Sequence, residues 1–212
     1  MSIGQLFKSS KPIFLIMLAV YILGFGAGFA AGKLKLVDFN RVRASKLSEL
    51  NRNLEYKVPV YGRLLQKYKN WERQKLYGHL FKIRVVKAMF TIFFNNWIVG
   101  NMTMMVRTVF LAPLILYPFG RFVQGLTVSR YPVSYQMWGT LICEFGGYFL
   151  TICGTLAALF WVLFYKRFGF KARTSALWNG LKFLGLMYLA SGFFILFGSY
   201  IETMFILGMS LR

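Results

Sequence analysis

An uncharged apolar run of 21 residues begins at Pro12 and ends at Gly32. A run of this length matches the ~20 residues that a helix needs to cross the hydrocarbon of a bilayer. Lys8 and Lys11 precede the run, as basic residues precede a cleaved signal sequence, but the apolar part is longer than that of a signal sequence. The sequence therefore predicts a retained first transmembrane helix.

Composition extends this prediction to the rest of the chain. Hydrophobic residues make up 57% of the 212 residues, and 26 Lys and Arg outnumber 6 Asp and Glu, for a net charge of +20. We predict an all-α fold, a polytopic helical membrane protein with about five transmembrane helices, some of them broken or re-entrant, plus a basic amphipathic helical segment. The predicted divisions are 1–32 for the N-terminal tail and first helix, 33–87 for the basic segment, and 88–212 for a helical membrane bundle.

The basic segment, residues 33–87, contains 15 Lys and Arg against four acidic residues, which leaves a charge of +11. This charge favours anionic lipid headgroups or acidic partner surfaces over nucleic acid. Two interpretations remain open, a helix that lies along the membrane surface with its aromatic residues at headgroup level, and a helical hairpin packed on a partner protein. The predicted contact residues are Arg63, Lys67, Tyr68, Trp71 and Arg73.

The first apolar run carries three glycines at four-residue intervals, Gly24, Gly28 and Gly32. Residues four apart lie on one face of a helix, and a face without side chains lets another backbone approach closely. The spacing therefore predicts a helix-packing or dimer face. The alternative is that the spacing arises by chance, as it does in glycine-rich membrane helices.

Two later apolar stretches do not fit one straight crossing. Residues 131–165 would form a helix about 50 Å long, against ~30 Å of hydrocarbon. Gly146 and Gly147 are the predicted position of a break, with part of the stretch in the interface or re-entrant. Residues 108–129 contain Pro113 and Pro118 and are predicted to form a broken or kinked helix.

Basic residues leave the orientation open. The excess of Lys and Arg directly after the first helix predicts that residues 33–87 are cytoplasmic. The short loop 166–173 is basic as well, with four positive residues. Both segments lie on one face of the membrane only if an even number of crossings separates them.

Polar residues inside the apolar stretches are the candidate functional residues. Glu144 and Glu202 are the only acidic residues after Glu72, and an intramembrane acid is costly and usually faces the bundle interior. Three roles remain open: a titrating relay for protons or cations, a structural pair bound to an Arg or Asn, and a group that reaches water at the interface. The residues expected to hold helix register or to line a transport path are Glu144, Glu202, Asn95, Asn96, Asn101, Arg107 and Arg121.

Catalytic and metal chemistry find little support. The carboxyl groups have no nucleophile elbow or metal motif beside them, so we predict that the protein is not an enzyme. Cys143 and Cys153 lie in one apolar run and are predicted to be packing residues, and His79 is the only histidine. We therefore expect no metal and no cofactor.

The order of these features resembles the stage II sporulation protein M family, a group of small polytopic membrane proteins of bacteria and archaea. The resemblance covers about residues 88–207 and rests on "IFFNNW", "FGRFVQG", "CEFGGYFLTICGTLAALF" and "GSYIETMF", in that order. The closest local matches are Asn95 with Asn96, Glu144 with Phe145, Gly154, and Ile201 with Glu202.

The resemblance implies a non-enzymatic component of the cytoplasmic (inner) membrane of a prokaryote. Some members look like scaffolds that hold peptidoglycan-degrading partners, and others look like companions of ATP-binding-cassette transport systems. We predict a scaffold or structural subunit of a larger membrane complex, in which Glu202 bonds to an Asn or Arg of an earlier helix. The alternatives are a permease subunit of an ATP-binding-cassette-type system and an accessory subunit of a bioenergetic or pigment complex. Expected partners are anionic lipid headgroups, other membrane or envelope proteins, an ATPase subunit and a second copy of the chain.

Overall fold

The computed structural model describes residues 2–38, 85–109, 112–130 and 135–210, together with Val42. Across these residues the protein is helical and contains no strand, which confirms the all-α prediction for this part of the chain. The predicted surface contacts of the basic segment, Arg63, Lys67, Tyr68, Trp71 and Arg73, lie outside the described residues, as does His79. The helices are α1 (Ile3–Lys33), α2 (Val85–Phe94), a π-helical segment (Asn95–Gly100), α3 (Asn101–Val109), α4 (Ala112–Val128), α5 (Tyr135–Leu163) and α6 (Arg173–Ser210).

Three of these helices are long and apolar enough to cross a membrane. They are α1 over its whole length, α5 from Trp138 to Leu163, and α6 from Arg173 to Phe205. α2, the π-helical segment and α3 follow one another without a gap and form a single rod of residues 85–109. The predicted apolar stretches are therefore helices, and three of them have the length and composition of membrane spans.

The centre of the fold is an antiparallel hairpin of α5 and α6. The turn 164–172 joins the two helices, and within it Gly169 has a φ of 76°, a left-handed conformation that favours glycine. Gly154 lies against Met187 farther along the hairpin, and Gly180 against Ala158. Small residues at these crossings bring the two helix axes close together.

α1 and α4 form a second close pair and run parallel to each other. Gly24 lies against Pro118, and four residues later Gly28 lies against Phe122. α1 runs antiparallel to α5, since the ring of Phe14 contacts Phe149 at a centroid distance of 5.8 Å. Farther along α1, aromatic contacts continue toward the start of α5. α1 thereby joins α4 to the central hairpin.

The directions of the helices define two ends of the bundle. At one end, here called the segment end, lie the last turns of α1 and α4, residues 34–38 at the start of the basic segment, and the first turns of α5. At the other end, here called the turn end, lie the first residues of α1 and the turn 164–172. The described start of the basic segment 33–87, residues 33–38, and the loop 166–173 therefore lie at opposite ends. Apart from Val42, residues 39–84 of that segment lie outside the described residues.

The buried core lies toward the turn end. Trp161 is fully buried and packs on Phe183 with ring centroids 5.3 Å apart. Phe7 of α1 contacts the same Phe183 edge to face at 5.2 Å. Aromatic pairs in this geometry stabilise a core beyond the area they bury. The core thus ties the start of α1 to the hairpin near its turn.

The predicted break at Gly146 and Gly147 is wrong, because α5 is one continuous helix from Tyr135 to Leu163. Both glycines lie against α6, and a Cβ on Gly147 would be 2.6 Å from Cγ1 of Ile195. Each glycine costs a helix interior about 1 kcal/mol relative to alanine, and close packing against α6 offsets this cost. Of the stretch 108–129, predicted to be broken or kinked, the part from Ala112 to Val128 is one continuous helix, α4, with Pro118 inside it. Residues 110 and 111 lie outside the described residues.

Candidate functional site

Three polar side chains from three different helices meet beside the π-helical segment. Asn96 donates a hydrogen bond from its Nδ2 to Oε1 of Glu144 on α5. The carboxyl group of Glu202 on α6 lies close to that of Glu144. We call Asn96, Glu144 and Glu202 the carboxyl cluster.

Local geometry makes room for this cluster. Gly198 of α6 lies directly beside Glu144, and a Cβ on Gly198 would be 3.1 Å from Cγ of that glutamate. Glu144 is six residues inside the apolar span that begins at Trp138, which corresponds to about 9 Å of helix rise. The carboxyl cluster therefore lies inside the apolar part of the bundle, nearer to the segment end.

A second polar network lies deeper in the same three-helix interface. Asn101 of α3 is fully buried and donates a hydrogen bond to Oγ of Ser191 on α6, at 2.7 Å. Its amide oxygen accepts a bond from Oγ1 of Thr151 on α5, at 2.9 Å. Ser191 in turn donates to the carbonyl oxygen of Tyr188, at 2.7 Å. We call Asn101, Ser191 and Thr151 the asparagine network.

The π-helical segment explains how one rod supplies both sites. Asn96 and Asn101 are five residues apart, and in an α-helix such residues point about 140° away from each other. A π turn closes its hydrogen bonds between residues i and i+5, so it brings residues at this spacing to nearly the same side. Asn96 and Asn101 consequently both face the α5–α6 hairpin.

A pair of aromatic residues holds the π-helical segment against α6. Trp97 donates from Nε1 to the carbonyl oxygen of Tyr188 at 3.1 Å, and the hydroxyl of Tyr188 donates to the carbonyl oxygen of Trp97 at 3.0 Å. Gly192 leaves space for the indole, since a Cβ there would be 2.9 Å from Nε1 of Trp97. This reciprocal pair orients the segment that carries Asn96.

The predicted cations lie elsewhere. The guanidinium group of Arg121 on α4 lies over three aromatic rings, at 5.6 Å from Tyr21, 4.9 Å from Tyr117 and 4.8 Å from Phe145. A desolvated cation over an aromatic face gains about 2 kcal/mol, so the rings stabilise this half-buried charge between α1, α4 and α5. Arg107 lies in the last turn of α3, about 16 Å of helix rise beyond Asn96 toward the turn end.

The predicted packing glycines contact two different partners. Gly24, Gly28 and Gly32 face α4 of the same chain, so α4 occupies the surface that also suggested a dimer face. Gly146, Gly147 and Gly154 face α6. The remaining predicted polar residue, Asn95, donates to the side-chain oxygen of its neighbour Asn96 at 3.5 Å.

Several contributors carried no signal in the sequence. Ser191, Thr151 and Gly198 become important only because of what lies opposite them on another helix, and no local motif marks them. Trp97 and Tyr188 resemble the many other aromatic residues of the chain. A search for polar residues in apolar runs finds Asn101 and Glu144, but it does not find the small residues that surround them.

The described part of the chain contains no group of side chains that could bind a metal ion. Among those residues, no three His, Cys, Asp or Glu side chains come together. Cys153 is fully buried and Cys143 partly buried, and both are free thiols. What the described interior offers is a set of hydrogen bonds between helices and one pair of facing carboxyl groups.

Comparison with known proteins gives no relative from which a function could be read. No family model, no curated protein and no solved structure matches this chain.

Proposed function

We propose that this protein is a non-enzymatic scaffold, a structural subunit of a larger membrane complex. The observation that carries the proposal is the asparagine network. Thr151 lies near the midpoint of the apolar span Trp138–Leu163, where an unpaired polar group would cost most. At that depth, Asn101 connects three helices through hydrogen bonds between side chains. Polar groups used in this way fix the register of helices rather than bind a ligand.

The membrane placement extends this reasoning to the whole bundle. α1, α5 and α6 have the length of spans, and the rod of residues 85–109 is packed along α5 and α6 by the two polar sites. α4 has 17 residues and is covered by α1 through glycine contacts. We propose a polytopic protein in which α4 is a shorter element held inside the bundle.

The outer surface supports residence in lipid and contact with other helices. Large apolar side chains on α6 point outward, among them Phe193 at 70% exposure and Phe197 at 63%. Such a surface is unfavourable in water and suits hydrocarbon or the apolar face of a partner. The resemblance to the stage II sporulation protein M family supports the same assignment and adds the cytoplasmic membrane of a prokaryote as its location.

The carboxyl cluster favours one alternative, a permease subunit of an ATP-binding-cassette-type system. Glu144 and Glu202 face each other in the apolar interior, and paired acids in membranes commonly serve proton or cation movement. The π-helical segment beside them is an element that often occurs at functional sites. In a scaffold, the carboxyl cluster connects helices, with Asn96 as the hydrogen-bond donor, in addition to the asparagine network and the pair of Trp97 and Tyr188.

The decisive experiment is purification of the tagged protein in a mild detergent, followed by mass spectrometry of the proteins that stay bound. The scaffold predicts membrane or envelope proteins without an ATPase. The variants to compare with the unaltered protein are Glu144→Gln and Glu202→Gln. Glutamine has the shape of glutamate and still forms hydrogen bonds, but its side chain cannot take up or release a proton. We expect both variants to retain the partners and the thermal stability of the unaltered protein. A co-purifying ATPase, together with solute flux that either variant abolishes, would replace the scaffold with the permease.

A further inference from the structure

A basic cavity lies at the segment end, between the last turns of α1 and α4. Its volume is about 610 Å³, and it is open to the surroundings. Among the described residues, the cavity is lined by three cationic side chains and one acid, Lys33, Lys35, Arg130 and Asp38. Two small residues that contact each other between the helix ends, Gly32 and Ser129, also line it.

The ends of both helices shape this cavity through their own backbone bonds. α1 ends with the amide of Leu34 bonded to the carbonyl of Ala30 at 2.9 Å, and that of Leu36 to Ala31 at 2.9 Å. Lys35 has a φ of 53°, a left-handed conformation that turns the chain at this point. The chain therefore turns just after α1, and Lys35 and Asp38 line the cavity beside the end of α4.

The end of α4 is closed in a similar way and is fixed against α1. The amide of Ser129 bonds to the carbonyl of Gly125 at 3.0 Å, and that of Arg130 to Thr127 at 3.2 Å. A Cβ on Gly32 would be 1.9 Å from Oγ of Ser129, so the two helix ends are in direct contact there. The cavity wall is thus built on two packed helices.

The position of the cavity indicates what surrounds it. The candidate span of α1 ends at Lys33, so Lys33 and Lys35 lie where the helix leaves hydrocarbon. This is the depth of phospholipid headgroups and their phosphates. Among the described lining residues, the three cationic side chains of Lys33, Lys35 and Arg130 outnumber the single acid, Asp38. Leu126 and Val37 add apolar wall to the same cavity, which suits the glycerol and first acyl carbons of a lipid.

We propose that this cavity binds the phosphate-bearing headgroup of an anionic phospholipid. Lys33, Lys35 and Arg130 supply the positive charge that recognises the phosphate. Leu126 contacts the apolar part of the same lipid. The bound lipid would hold the ends of α1 and α4 together at the membrane surface. This proposal rests on the membrane placement proposed above.

The test uses the full chain purified in a neutral detergent and measures the shift of its melting temperature. Three probes are titrated separately: short-chain phosphatidylglycerol, short-chain phosphatidylcholine and inorganic phosphate. The altered protein carries Lys33→Gln, Lys35→Gln and Arg130→Gln. Its matched control carries Lys166→Gln, Arg167→Gln and Lys171→Gln, which remove the same charge at the turn end. A further variant, Asp38→Asn, raises the charge of the cavity and does not depend on a loss of function.

We expect phosphatidylglycerol to raise the melting temperature and phosphatidylcholine to leave it nearly unchanged. The triple variant at the cavity should need at least about tenfold more phosphatidylglycerol for the same shift, since each surface cation contributes measurably to binding of anionic lipid. The control should respond as the unaltered protein does. Asp38→Asn should need about two- to fivefold less phosphatidylglycerol for the same shift of melting temperature. If the triple variant does not fold, this result alone tests the proposed lipid site.

Three results would overturn the proposal. Equal weakening in the cavity variant and the control would show diffuse attraction to the whole basic surface. An equal shift from inorganic phosphate would show a site for a free anion, and no shift from phosphatidylglycerol would show no site. Carbonate extraction of cell membranes separates these failures from a failure of the membrane placement. A protein that is not embedded in the membrane leaves the membrane pellet. A protein that is embedded but lacks the headgroup site stays in the pellet.

Discussion

Replacing Gly28 by alanine should loosen the pair of α1 and α4. A Cβ at this position would be 1.9 Å from the carbonyl oxygen of Phe122 and 2.7 Å from its carbonyl carbon. These atoms belong to the backbone, so no change of rotamer can move them away. An ordinary contact begins near 3.4 Å, and the two helices would have to separate by about 1.5 Å to restore it.

The cost follows from that separation. A gap of 0.5–1 Å already forfeits a quarter to a half of the dispersion energy of each atom pair, and overpacked sites typically lose about 1–3 kcal/mol. Alanine returns about 0.5–1 kcal/mol through its better helix propensity. We therefore expect Gly28→Ala to lower the free energy of unfolding by about 1–2 kcal/mol.

Gly26→Ala is the matched control, because it makes the same chemical change two residues earlier. A Cβ at Gly26 meets no atom within 4 Å, so this variant should be neutral or slightly stabilising. Both variants are compared by thermal unfolding in one detergent and by titration with a denaturing detergent. Gly125→Ala approaches the same interface from α4, where its Cβ would be 2.0 Å from the carbonyl oxygen of Phe25, and it should resemble Gly28→Ala. Equal stabilities of the Gly28 and Gly26 variants would refute the close packing of α1 on α4.

Three further predictions concern the three-helix interface and the ends of the bundle. Asn101→Leu should lower the free energy of unfolding by about 1–2 kcal/mol, because two interhelical hydrogen bonds are lost and such bonds in membranes average ~0.6 kcal/mol. The control is Asn179→Leu, which removes an amide that bonds only within α6 and should lower the free energy of unfolding less in the same thermal assay. Trp97→Phe keeps an aromatic ring and removes the hydrogen bond from the indole to α6, so the free energy of unfolding should fall by about 0.5–1.5 kcal/mol in a titration with denaturing detergent. An unchanged midpoint of that titration would contradict the contact. In a chain whose native cysteines are replaced by alanine, Lys35→Cys and Lys171→Cys should react with an impermeant maleimide from opposite sides of a sealed vesicle. Labelling of both from one side would show that the two ends are assigned wrongly.

Much of the secondary structure could be predicted from composition alone. The uncharged run of residues 12–32 lies within α1, and most of the described residues in the apolar stretches after residue 87 lie within the later helices. Apolar length predicts helices here because an unbonded backbone is too costly in hydrocarbon. The break expected at Gly146 and Gly147 failed for a related reason. Glycine permits a break, but it also permits close packing, and only the neighbouring α6 decides between the two.

The candidate site could be predicted in part. Buried acids and amides stand out in an apolar sequence, so Glu144, Glu202, Asn96 and Asn101 were found as candidates. Their grouping into a carboxyl cluster and a separate asparagine network could not be predicted, because it depends on the π turn at Asn95–Gly100. One extra residue in a helical turn rotates every later side chain, and its effect on which residues meet appears only in the folded bundle.

Long apolar helices follow from the amino-acid sequence alone, because hydrophobicity and chain length act on each segment separately. The pairing of these helices depends on the folded bundle. Arg121 illustrates the difference: its charge suggested a carboxylate partner, yet the fold surrounds it with Tyr21, Tyr117 and Phe145. Dispersion contacts and hydrogen bonds between helices depend on the faces that meet, and those faces come from residues far apart in the chain.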